Sequence, residues 1–422
     1  MFFKTNTPTC VDTGQIFFLR SRVPTQCARA AIYHTFLYRT FFITSFIFFG
    51  FSGLARAQYI PEFYQSVRGA GAGNALTAIT NDAESVFYNP AGLALIPQGE
   101  IRLINPTLET SQDATRSVSK IRGVMDGVTY EKINDLKGKN LSARFSVLPG
   151  IAFPGFFLGY LNQHQAGLSI THDSLPITRA YYFIDTGIIS GFAFESRGIL
   201  PKHYLRLGTA FKYIERSGFQ TSVNALELIN GGLSNVIENA KAGPARGYGV
   251  NLGLQYEIGL SPTSQLILGS AWQDIGDTKF TSTNDLGSPP SILNNLSAGF
   301  GFVQQLSRSK KSNVSEFRFS AEMRRLNQSL GHKLLKLHLG TELDFGIIGA
   351  QFGYNQDGFT MGGKLDLGIF EVTAASYSVE HGTSQRENRE RRYIAQITFK
   401  FGFLGLDRKS QRSIDRRRSP RK

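Results

Sequence analysis

The feature that most constrains the fold of this chain is a long series of alternating segments. About fifteen segments of strand length, in which apolar residues alternate with polar or small ones, follow one another between residues 100 and 403 and are separated by Gly, Pro, Asn or Asp. Side chains change face along a β-strand with this same period of two. No helical period of comparable extent competes with it. The series therefore predicts an all-β chain.

The alternation leaves one face of each strand apolar and the other polar or small. In "HLGTELDF" (residues 338–345) the even-numbered positions are His, Gly, Glu and Asp, and the odd-numbered positions are Leu, Thr, Leu and Phe. A soluble sandwich would hide the apolar face between two sheets, whereas a membrane barrel would turn it towards lipid. The abundance of Phe (34), Tyr (16) and Gly (44), with glycines repeated inside strands, favours a transmembrane antiparallel β-barrel. After residue 60 no apolar run is long enough to span a bilayer as a helix.

The first 57 residues carry an export signal. Arg39 precedes an apolar stretch, residues 41–54, and Ala55-Arg56-Ala57 then forms an A-x-A cleavage site before Gln58. The alternative is an uncleaved N-terminal anchor, but the apolar stretch is short for one. We expect residues 1–57 to be removed as an N-terminal extension and signal peptide. Both cysteines, Cys10 and Cys27, would be lost with them, which leaves the processed chain without disulfides or thiolate ligands.

The basic charge of the chain is concentrated at its ends. Residues 1–57 carry +5 and residues 404–422 carry +6 of the formal net charge of +14, which leaves +3 for everything between them. The charge is thus poor evidence for a nucleic-acid partner, and we expect none. The segment 404–422 is predicted to be a disordered basic tail; a solvated end is favoured over an anchor to an anionic surface.

The run "SVRGAGAGNALTAITNDAESVFYNPAGLALI" (residues 66–96) does not alternate as the later strands do. It is rich in Gly and Ala, and its pieces are too short to fold alone. Near its end, Asn89 is suited to cap a short helix, with Pro90 in the first helical position. Irregular backbone of this kind finds polar partners inside a barrel that lipid cannot offer. We expect residues 58–98 to form a plug, or hatch, in the lumen of a barrel that spans residues 99–403.

This run resembles the N-terminal hatch signature of FadL-type outer-membrane proteins and of the related PorV/PorQ group. In that signature a G-x-G-N-A opening and a D-A-x-x-V-x-x-N-P-A motif precede the barrel. The candidate motif residues here are Gly71, Gly73, Asn74, Asp82, Asn89, Pro90, Ala91 and Gly92. Later stretches, such as "GYGVNLGLQYEI" (247–258) and "WQDIGDTKF" (272–280), are similar to strands and turns of the PorV/PorQ side. The resemblance extends over most of the processed chain.

The resemblance implies a barrel of about 14 strands in the cell outer membrane of a Gram-negative type of envelope. FadL-type proteins pass hydrophobic small molecules through the plugged lumen and sideways into the membrane, whereas PorV/PorQ proteins serve protein secretion. The same architecture thus allows a hydrophobic ligand or a secretion-complex partner. We expect transport of hydrophobic small molecules, with a partnership in protein secretion as the alternative and a purely structural barrel as a third reading. The outer-membrane lipid is the expected environment in each case.

One insertion bears on that choice. Residues 223–240 interrupt the strand series, and their apolar side chains fall roughly on one helical stripe. The stripe predicts either a hydrophobic capture loop or a loop helix packed on the rim of the barrel, and burial is the commoner meaning of such a stripe. The residues concerned are Leu226, Ile229, Leu233, Val236 and Ile237.

An enzyme is the competing class of function, and nothing in the motifs supports it. There is no G-x-S-x-G, and the glycines of residues 69–73 lack the preceding strand of a dinucleotide-binding fingerprint. The seven His residues show no metal-binding spacing. Asp82 is interpreted as a cap or as the partner of an Arg or Lys on the wall. We therefore expect no catalytic residue, no metal and no cofactor.

Overall fold

The computed structural model describes residues 61–125, 129–171, 176–197, 200–224, 227, 230, 235–236, 238–282, 287–308, 314–328, 332–356 and 358–403. The predicted signal peptide, residues 1–57, and the predicted basic tail, residues 404–422, lie outside the described residues. No helix within the described ranges is long and apolar enough to cross a membrane.

The described chain forms a closed antiparallel β-barrel of 14 strands, as predicted. Consecutive strands are hydrogen-bonded neighbours, and the last strand pairs with both segments of the first, which closes the sheet. Seventeen segments make up the 14 strands, because three strands are each broken in two. The segments are β1 (Gly99–Ile104), β2 (Thr107–Ser111), β3 (Asn140–Val147), β4 (Gly150–Phe153), β5 (Phe156–Ile170), β6 (Ile177–Arg197), β7 (His203–Asn224), β8 (Lys241–Gly259), β9 (Ser264–Gln273), β10 (Phe280–Ser282), β11 (Asn295–Arg308), β12 (Val314–Met323), β13 (Leu337–Asp344), β14 (Ile348–Asn355), β15 (Gly358–Asp366), β16 (Phe370–Glu380) and β17 (Arg389–Phe403).

The broken strands are β1 with β2, β3 with β4, and β9 with β10. Pro106 and Pro149 lie at the first two breaks, and proline has no N–H to donate to the ladder. At the third break, Asp274, Gly276 and Asp277 have positive φ angles, which lift residues 274–279 out of the ladder. Because the first two broken strands are neighbours, their interruptions lie side by side in the wall.

The two faces of the wall differ as the alternation predicts. In β13, His338, Gly340 and Glu342 are buried in the lumen. The outer face carries large apolar side chains, and those exposed on it include Leu108, Phe145, Leu158, Tyr160, Ile188, Phe192, Phe211, Tyr248, Leu252, Leu268, Trp272, Phe300, Phe352, Phe359, Met361, Tyr393, Ile397 and Phe399. An apolar exterior around a polar interior is the arrangement of a barrel in lipid.

The two rims of the barrel also differ. One rim carries tight turns, for example at residues 154–155, 345–347 and 367–369, together with both ends of the barrel at residues 99 and 403. The opposite rim carries the longer connections, including 112–139, which contains α3 (Gln112–Arg116), α4 (Val118–Met125) and α5 (Tyr130–Asn134), and 324–336, which contains a 3₁₀ helix (Lys333–Lys336). We call these the turn rim and the loop rim.

The loop rim has a small core of its own. Ile133, Leu136, Leu141 and Ile170 form a buried cluster, and Val236 packs against it. Val236 belongs to the predicted capture loop, so this residue takes the rim-packing role that was the alternative to capture. Leu226, Ile229, Leu233 and Ile237 lie outside the described residues.

The hatch occupies the lumen. Its described part, residues 61–98, contains α1 (Val67–Gly71), α2 (Ser85–Tyr88) and a 3₁₀ helix (Pro90–Leu95). Nearly all of it is buried, apart from Pro97 and Gln98 next to β1. Helix α1 lies against β14, β15, β16 and β17, and the 3₁₀ helix lies against β6, β7 and β8 on the other side. The hatch thus reaches across the barrel from wall to wall.

Candidate functional site: the hatch, the cavity beside it and a gap in the wall

The local structure of the hatch follows from its capping residues. The Ser66 hydroxyl accepts a hydrogen bond from the Gly69 N–H at the start of α1. The Asn89 side chain accepts from the Ala91 N–H, with Pro90 in the first position of the 3₁₀ helix, so the predicted cap is present. Asn74 has a positive φ of 59°, a conformation that Asn tolerates better than most residues. Short helices joined by such turns suit a lumen that leaves no room for longer ones.

Glycines of the wall are placed where the hatch backbone passes closest. A Cβ on Gly208 would lie 2.3 Å from the Pro90 carbonyl carbon, and one on Gly340 would lie 2.4 Å from the Ala72 carbonyl oxygen. Such distances are shorter than any real Cβ contact, so these positions require glycine while the hatch is in place. The wall glycines in equivalent contact with the hatch are Gly191, Gly208, Gly253, Gly269, Gly301, Gly340, Gly353 and Gly362. Many of the glycines repeated within the strands thus lie where the hatch packs closest to the wall.

Polar side chains of the wall bind the hatch backbone directly. The Asn251 amide donates to the Val86 carbonyl at 2.8 Å, and the Gln255 amide donates to the Ala78 carbonyl at 3.1 Å. On the opposite wall the Ser320 hydroxyl donates to the Ala75 carbonyl at 2.5 Å, and Glu322 accepts from the Thr77 N–H at 2.6 Å. Buried backbone groups need such partners when no secondary structure supplies them. The irregular hatch is therefore held by contacts with particular wall side chains.

An ion-pair network also joins hatch and wall. The Arg68 guanidinium donates two hydrogen bonds to the Glu342 carboxylate, at 2.7 and 2.8 Å, and one to Asp82 at 2.7 Å. Arg318 approaches Glu342 from the wall at 3.2 Å. Bidentate pairs of this kind fix geometry as well as charge. The cation partner of Asp82 is thus a hatch arginine and not a wall residue, while its other oxygen accepts from the Glu84 N–H as a cap.

The remaining residues of the hatch motif serve the same fit. The Gly71 carbonyl and the Gly73 N–H both bond to the Thr360 hydroxyl, at 2.7 and 3.0 Å. The Asn89 amide donates to the Thr77 carbonyl within the hatch and to the Leu254 carbonyl of the wall. Ala91 is completely buried, and Gly92 lies against Thr80 of the hatch. The motif thus encodes the packing of the plug.

The N-terminal end of the described hatch is held on the loop side of the lumen. The Glu62 carbonyl accepts from Arg144 at 2.8 Å, and the Glu62 carboxylate lies 2.8 Å from Arg325 and 3.6 Å from Arg324. Burial by itself would raise the pKa of Glu62, but the two guanidinium groups outweigh it and lower the pKa to about 2. Glu84, deeper in the hatch, differs, because burial and the neighbouring Asp82 raise its pKa despite the proximity of Arg102. Ionised Glu62 therefore ties the start of the hatch to the loop after β12.

A cavity of about 660 Å³ lies between the hatch and the loop rim. Aromatic rings of the hatch, including Tyr64 and Phe87, lie on one side, and the loops that follow β10 and β12 lie on the other. Its cations are paired with carboxylates: Lys212 with Asp274 at 2.5 Å, and Arg216 with Asp185 at 2.6 Å. We call this space the loop-side cavity. Paired charges beside aromatic faces suit a compact molecule with an apolar body and a small polar group.

A gap in hydrogen bonding lies between the first two strands of the wall. Segments β1 and β4 pair at residues 100–102 with 150–152, and segments β2 and β3 pair at residues 107–110 with 143–146. Residues 103–106 and 147–149 between them are outside both ladders. The side-chain oxygen (Oδ1) of Asn105 accepts from the Leu148 N–H across this space at 2.6 Å, and the Nδ2 of the same side chain is buried without a hydrogen-bond partner. We call this interruption the wall gap.

The wall gap is apolar on both sides. Leu103 and Ile104 are exposed on the outer face. Behind it, Leu148 belongs to a buried cluster that includes Leu161 of the wall and Leu93 of the hatch. At the wall gap, the sheet between an apolar interior formed partly by the hatch and an apolar exterior lacks backbone hydrogen bonds between the first two strands.

Sequence analysis missed the wall partners of the hatch and the wall gap. Arg68 and Glu342 are separated by 274 residues, so no local pattern connects them. The only local signals of the gap were two prolines, Pro106 and Pro149, in neighbouring strands. Among the residues that the structure describes, no group of three or more His, Cys, Asp or Glu residues is arranged to hold a metal ion.

Comparisons with known proteins add only distant structural neighbours. No protein-family model and no curated protein matches the sequence. Among solved structures, the CymD monoaromatic hydrocarbon channel aligns over 79% of this chain and 98% of its own, with 10% identity and a TM-score of 0.39. The P. putida toluene transporter TodX aligns over 80% and 99%, with 9% identity and a TM-score of 0.34. A Pseudomonas aeruginosa FadL homologue aligns over 82% and 100%, with 10% identity and a TM-score of 0.28.

These TM-scores all lie below 0.5, and barrels of other kinds score similarly. The translocator domain of the autotransporter NalP from Neisseria meningitidis aligns over 72% of this chain and 89% of its own, with 10% identity and a TM-score of 0.32. The architecture of this protein therefore rests on its own strand pairings.

Proposed function

We propose that this protein is an outer-membrane barrel that passes hydrophobic small molecules from the loop-side cavity, past the hatch, and through the wall gap into the membrane. The observation that carries the proposal is the wall gap itself. It is an unpaired part of the sheet with apolar residues on both faces, and Leu93 of the hatch packs in the cluster behind it. A lipophilic molecule that left the lumen there would pass from apolar protein to apolar lipid without crossing water.

The outer membrane is the proposed location. A closed sheet has no unpaired edge to expose to lipid, and the outer face of this barrel is apolar. In such barrels the short turns face the periplasm and the longer loops face the exterior. The loop-side cavity would then open towards the outside, where a substrate arrives. Export through a signal peptide cleaved after Ala57 is part of the same proposal.

The filled lumen argues against a general pore for hydrophilic solutes. The hatch crosses the barrel, and the wall fits it through glycines, hydrogen bonds and the Arg68 ion pairs. Water-filled porins keep an open channel instead. A molecule that moves sideways at the wall gap needs only a local shift of Leu93, Leu148 and their neighbours, and the rest of the hatch can stay in place.

The resemblance of the hatch motif to FadL-type proteins supports the same proposal. The PorV/PorQ-like alternative, a partner of a secretion machinery, stays a prediction, because no contact or surface of the described residues favours it over transport. The volume of the loop-side cavity, about 660 Å³, favours a small molecule.

The test is to close the wall gap reversibly. Asn105→Cys and Leu148→Cys place two thiols across it, and Cys10→Ser with Cys27→Ser leaves them as the only thiols in the chain. Uptake of a lipophilic fluorescent probe into cells that express the oxidised variant should fall to the background of cells without the protein, and a reductant should restore it. The reduced form of the same variant controls for the loss of the two native side chains.

A matched pair outside the wall gap provides a second control. Leu108→Cys with Phe145→Cys bridges the same two strands where they are already paired, so oxidation there should leave uptake unchanged. Uptake that continues at the same rate with the wall gap bridged would contradict the sideways route.

A further inference from the structure

Two turns on the turn rim share one sequence pattern and one conformation. Residues 344–348 read Asp-Phe-Gly-Ile-Ile, and residues 366–370 read Asp-Leu-Gly-Ile-Phe. In each, the glycine has a positive φ, 83° at Gly346 and 86° at Gly368. In each, the aspartate side chain accepts a hydrogen bond from that glycine N–H, at 2.8 and 2.9 Å. We call them the two apolar turns.

Ion pairs inside the barrel hold both aspartates inward. Lys364 donates to Asp344 at 2.6 Å, and Lys400 donates to Asp366 at 2.8 Å. With the polar residue of each turn fixed on the lumen side, the apolar ones are left on the surface. Phe345, Ile347, Leu367 and Ile369 are all at least half exposed.

Three of the four strands joined by these turns are the shortest unbroken strands of the wall, as far as the structure describes it. Segments β13 and β14 have eight residues each, and β15 has nine. Eight residues at about 3.3 Å each, tilted by about 40°, rise only about 20 Å along the barrel axis. The apolar band of an outer-membrane barrel is about 25 Å tall. These strands alone therefore fall short of the band.

The outer faces of the short strands are apolar or small to their ends. The outward residues of β14 are Ile348, Ala350, Phe352 and Tyr354, so no charged residue marks a boundary above the turn. The apolar turns continue this surface without a break. The apolar turns thus supply apolar side chains beyond the ends of the short strands.

The tall side of the barrel is built differently. Segments β6, β7 and β8 have 21, 22 and 19 residues. The connections at their turn-rim ends each carry one exposed leucine, Leu200 or Leu260, next to polar residues such as Lys202 and Ser261. Strands of this length span the apolar band by themselves, so their turns are not needed to complete it.

We propose that the two apolar turns are immersed in the acyl-chain region of the bilayer leaflet on the turn side, where they complete the lipid contact of the short wall formed by β13, β14 and β15. The occupant of this surface is membrane lipid, because the turns continue the lipid-facing surface and make up the missing height. The inference rests on the proposed membrane location, and its test separates the two.

The test uses the single tryptophan of the chain as an internal standard. Trp272 lies on the outer face, 44% exposed. Phe345→Trp, Leu367→Trp and, as the control on the tall side, Pro201→Trp are each made together with Trp272→Phe. The full processed barrel is reconstituted in phosphatidylcholine vesicles with brominated acyl chains, and in separate vesicles with iodide on both sides of the membrane. Folding is checked by the gel shift between heated and unheated samples.

Brominated lipid should quench the Phe345→Trp and Leu367→Trp variants at least half as strongly as wild-type Trp272, and iodide should quench them little. The Pro201→Trp variant should show the reverse. Iodide quenching of the two turn variants equal to that of Pro201→Trp would overturn the proposal, since the turns would then lie in water. If brominated lipid did not quench the fluorescence of wild-type Trp272, the proposed membrane location would be wrong, and so would this inference. Ile347→Trp and Ile369→Trp replace any turn variant that does not fold.

Discussion

The inner and the outer face of the same wall are specified in different ways. On the inner face, each wall residue is matched to the part of the hatch that it contacts. Position 208 is glycine because the Pro90 backbone passes too close for a side chain, and Glu342 binds the Arg68 guanidinium. On the outer face, lipid is the only proposed neighbour, and large apolar residues of several kinds follow one another. The folded hatch packs only against side chains of complementary shape and charge, whereas fluid lipid requires only an apolar surface. The inner face should therefore be intolerant of substitutions that the outer face accepts.

The largest difference is expected for ion pairs. Arg68→Ala removes the bidentate partner of the buried Glu342 and leaves it only Arg318, so the loss should approach the about 3–5 kcal/mol of a fully broken buried pair. Arg246→Ala removes a single 3.3 Å contact with Glu215 on the outer surface near the loop rim, where the pair is exposed to water and the cost should be at most about 1 kcal/mol. Thermal unfolding of both variants in the same detergent compares them. Equal losses would contradict the distinction between the faces.

Steric fit gives the next effect. Gly208→Ala places a methyl group against the Pro90 backbone, which must move, and overpacking of this kind costs roughly 1–3 kcal/mol. The measurement is the urea midpoint of the folded barrel, together with protease cleavage of the hatch as a report of its displacement. A stable Gly208→Ala variant with a protected hatch would show that the hatch does not occupy the lumen as described.

A pH effect follows from Glu62. Its pKa is lowered to about 2, so the ionised form stabilises the folded state above the ordinary pKa near 4.5. That contribution is lost as the pH falls from about 4.5 towards 2, and with 30% of the side chain exposed it is on the order of 1–2 kcal/mol. Glu62→Gln should therefore flatten the acid part of the stability profile and change little below pH 2. A profile identical to wild type between pH 5 and 2 would rule out the pairing with Arg324 and Arg325.

The smallest and most closely matched comparison uses two adjacent glycines. Gly362 faces the hatch, where a Cβ would lie 3.0 Å from the Gly71 Cα, while a Cβ on Gly363 would meet nothing closer than 3.9 Å. Gly362→Ala should cost about 1 kcal/mol, and Gly363→Ala should be neutral within about 0.5 kcal/mol. The comparison needs the free energies of unfolding of the two variants, measured with the same denaturant under the same conditions. A larger loss for Gly363→Ala would reverse the assignment of the faces.

The sequence predicts well which residues lie on the outer face, but it predicts poorly which residues contact each other on the inner face. Alternation identifies which residues of β13 face out, because that information is local. It does not identify Glu342 as the partner of Arg68, because that contact depends on the closure of the whole barrel. Segment β2 is not evident from the sequence either, because its five residues lie between Pro106 and a polar connection. The cap at Asn89 was predictable because it needs only three neighbouring residues.

The central claim, passage of a hydrophobic molecule through a plugged barrel, is most directly tested by native mass spectrometry of the protein extracted from its own membrane in mild detergent. We expect a monomer that carries a small hydrophobic molecule. Gln220 lines the loop-side cavity, and Gln220→Trp, which narrows the cavity, should abolish this binding. A barrel isolated with a bound protein partner and an empty lumen would instead favour the secretion alternative.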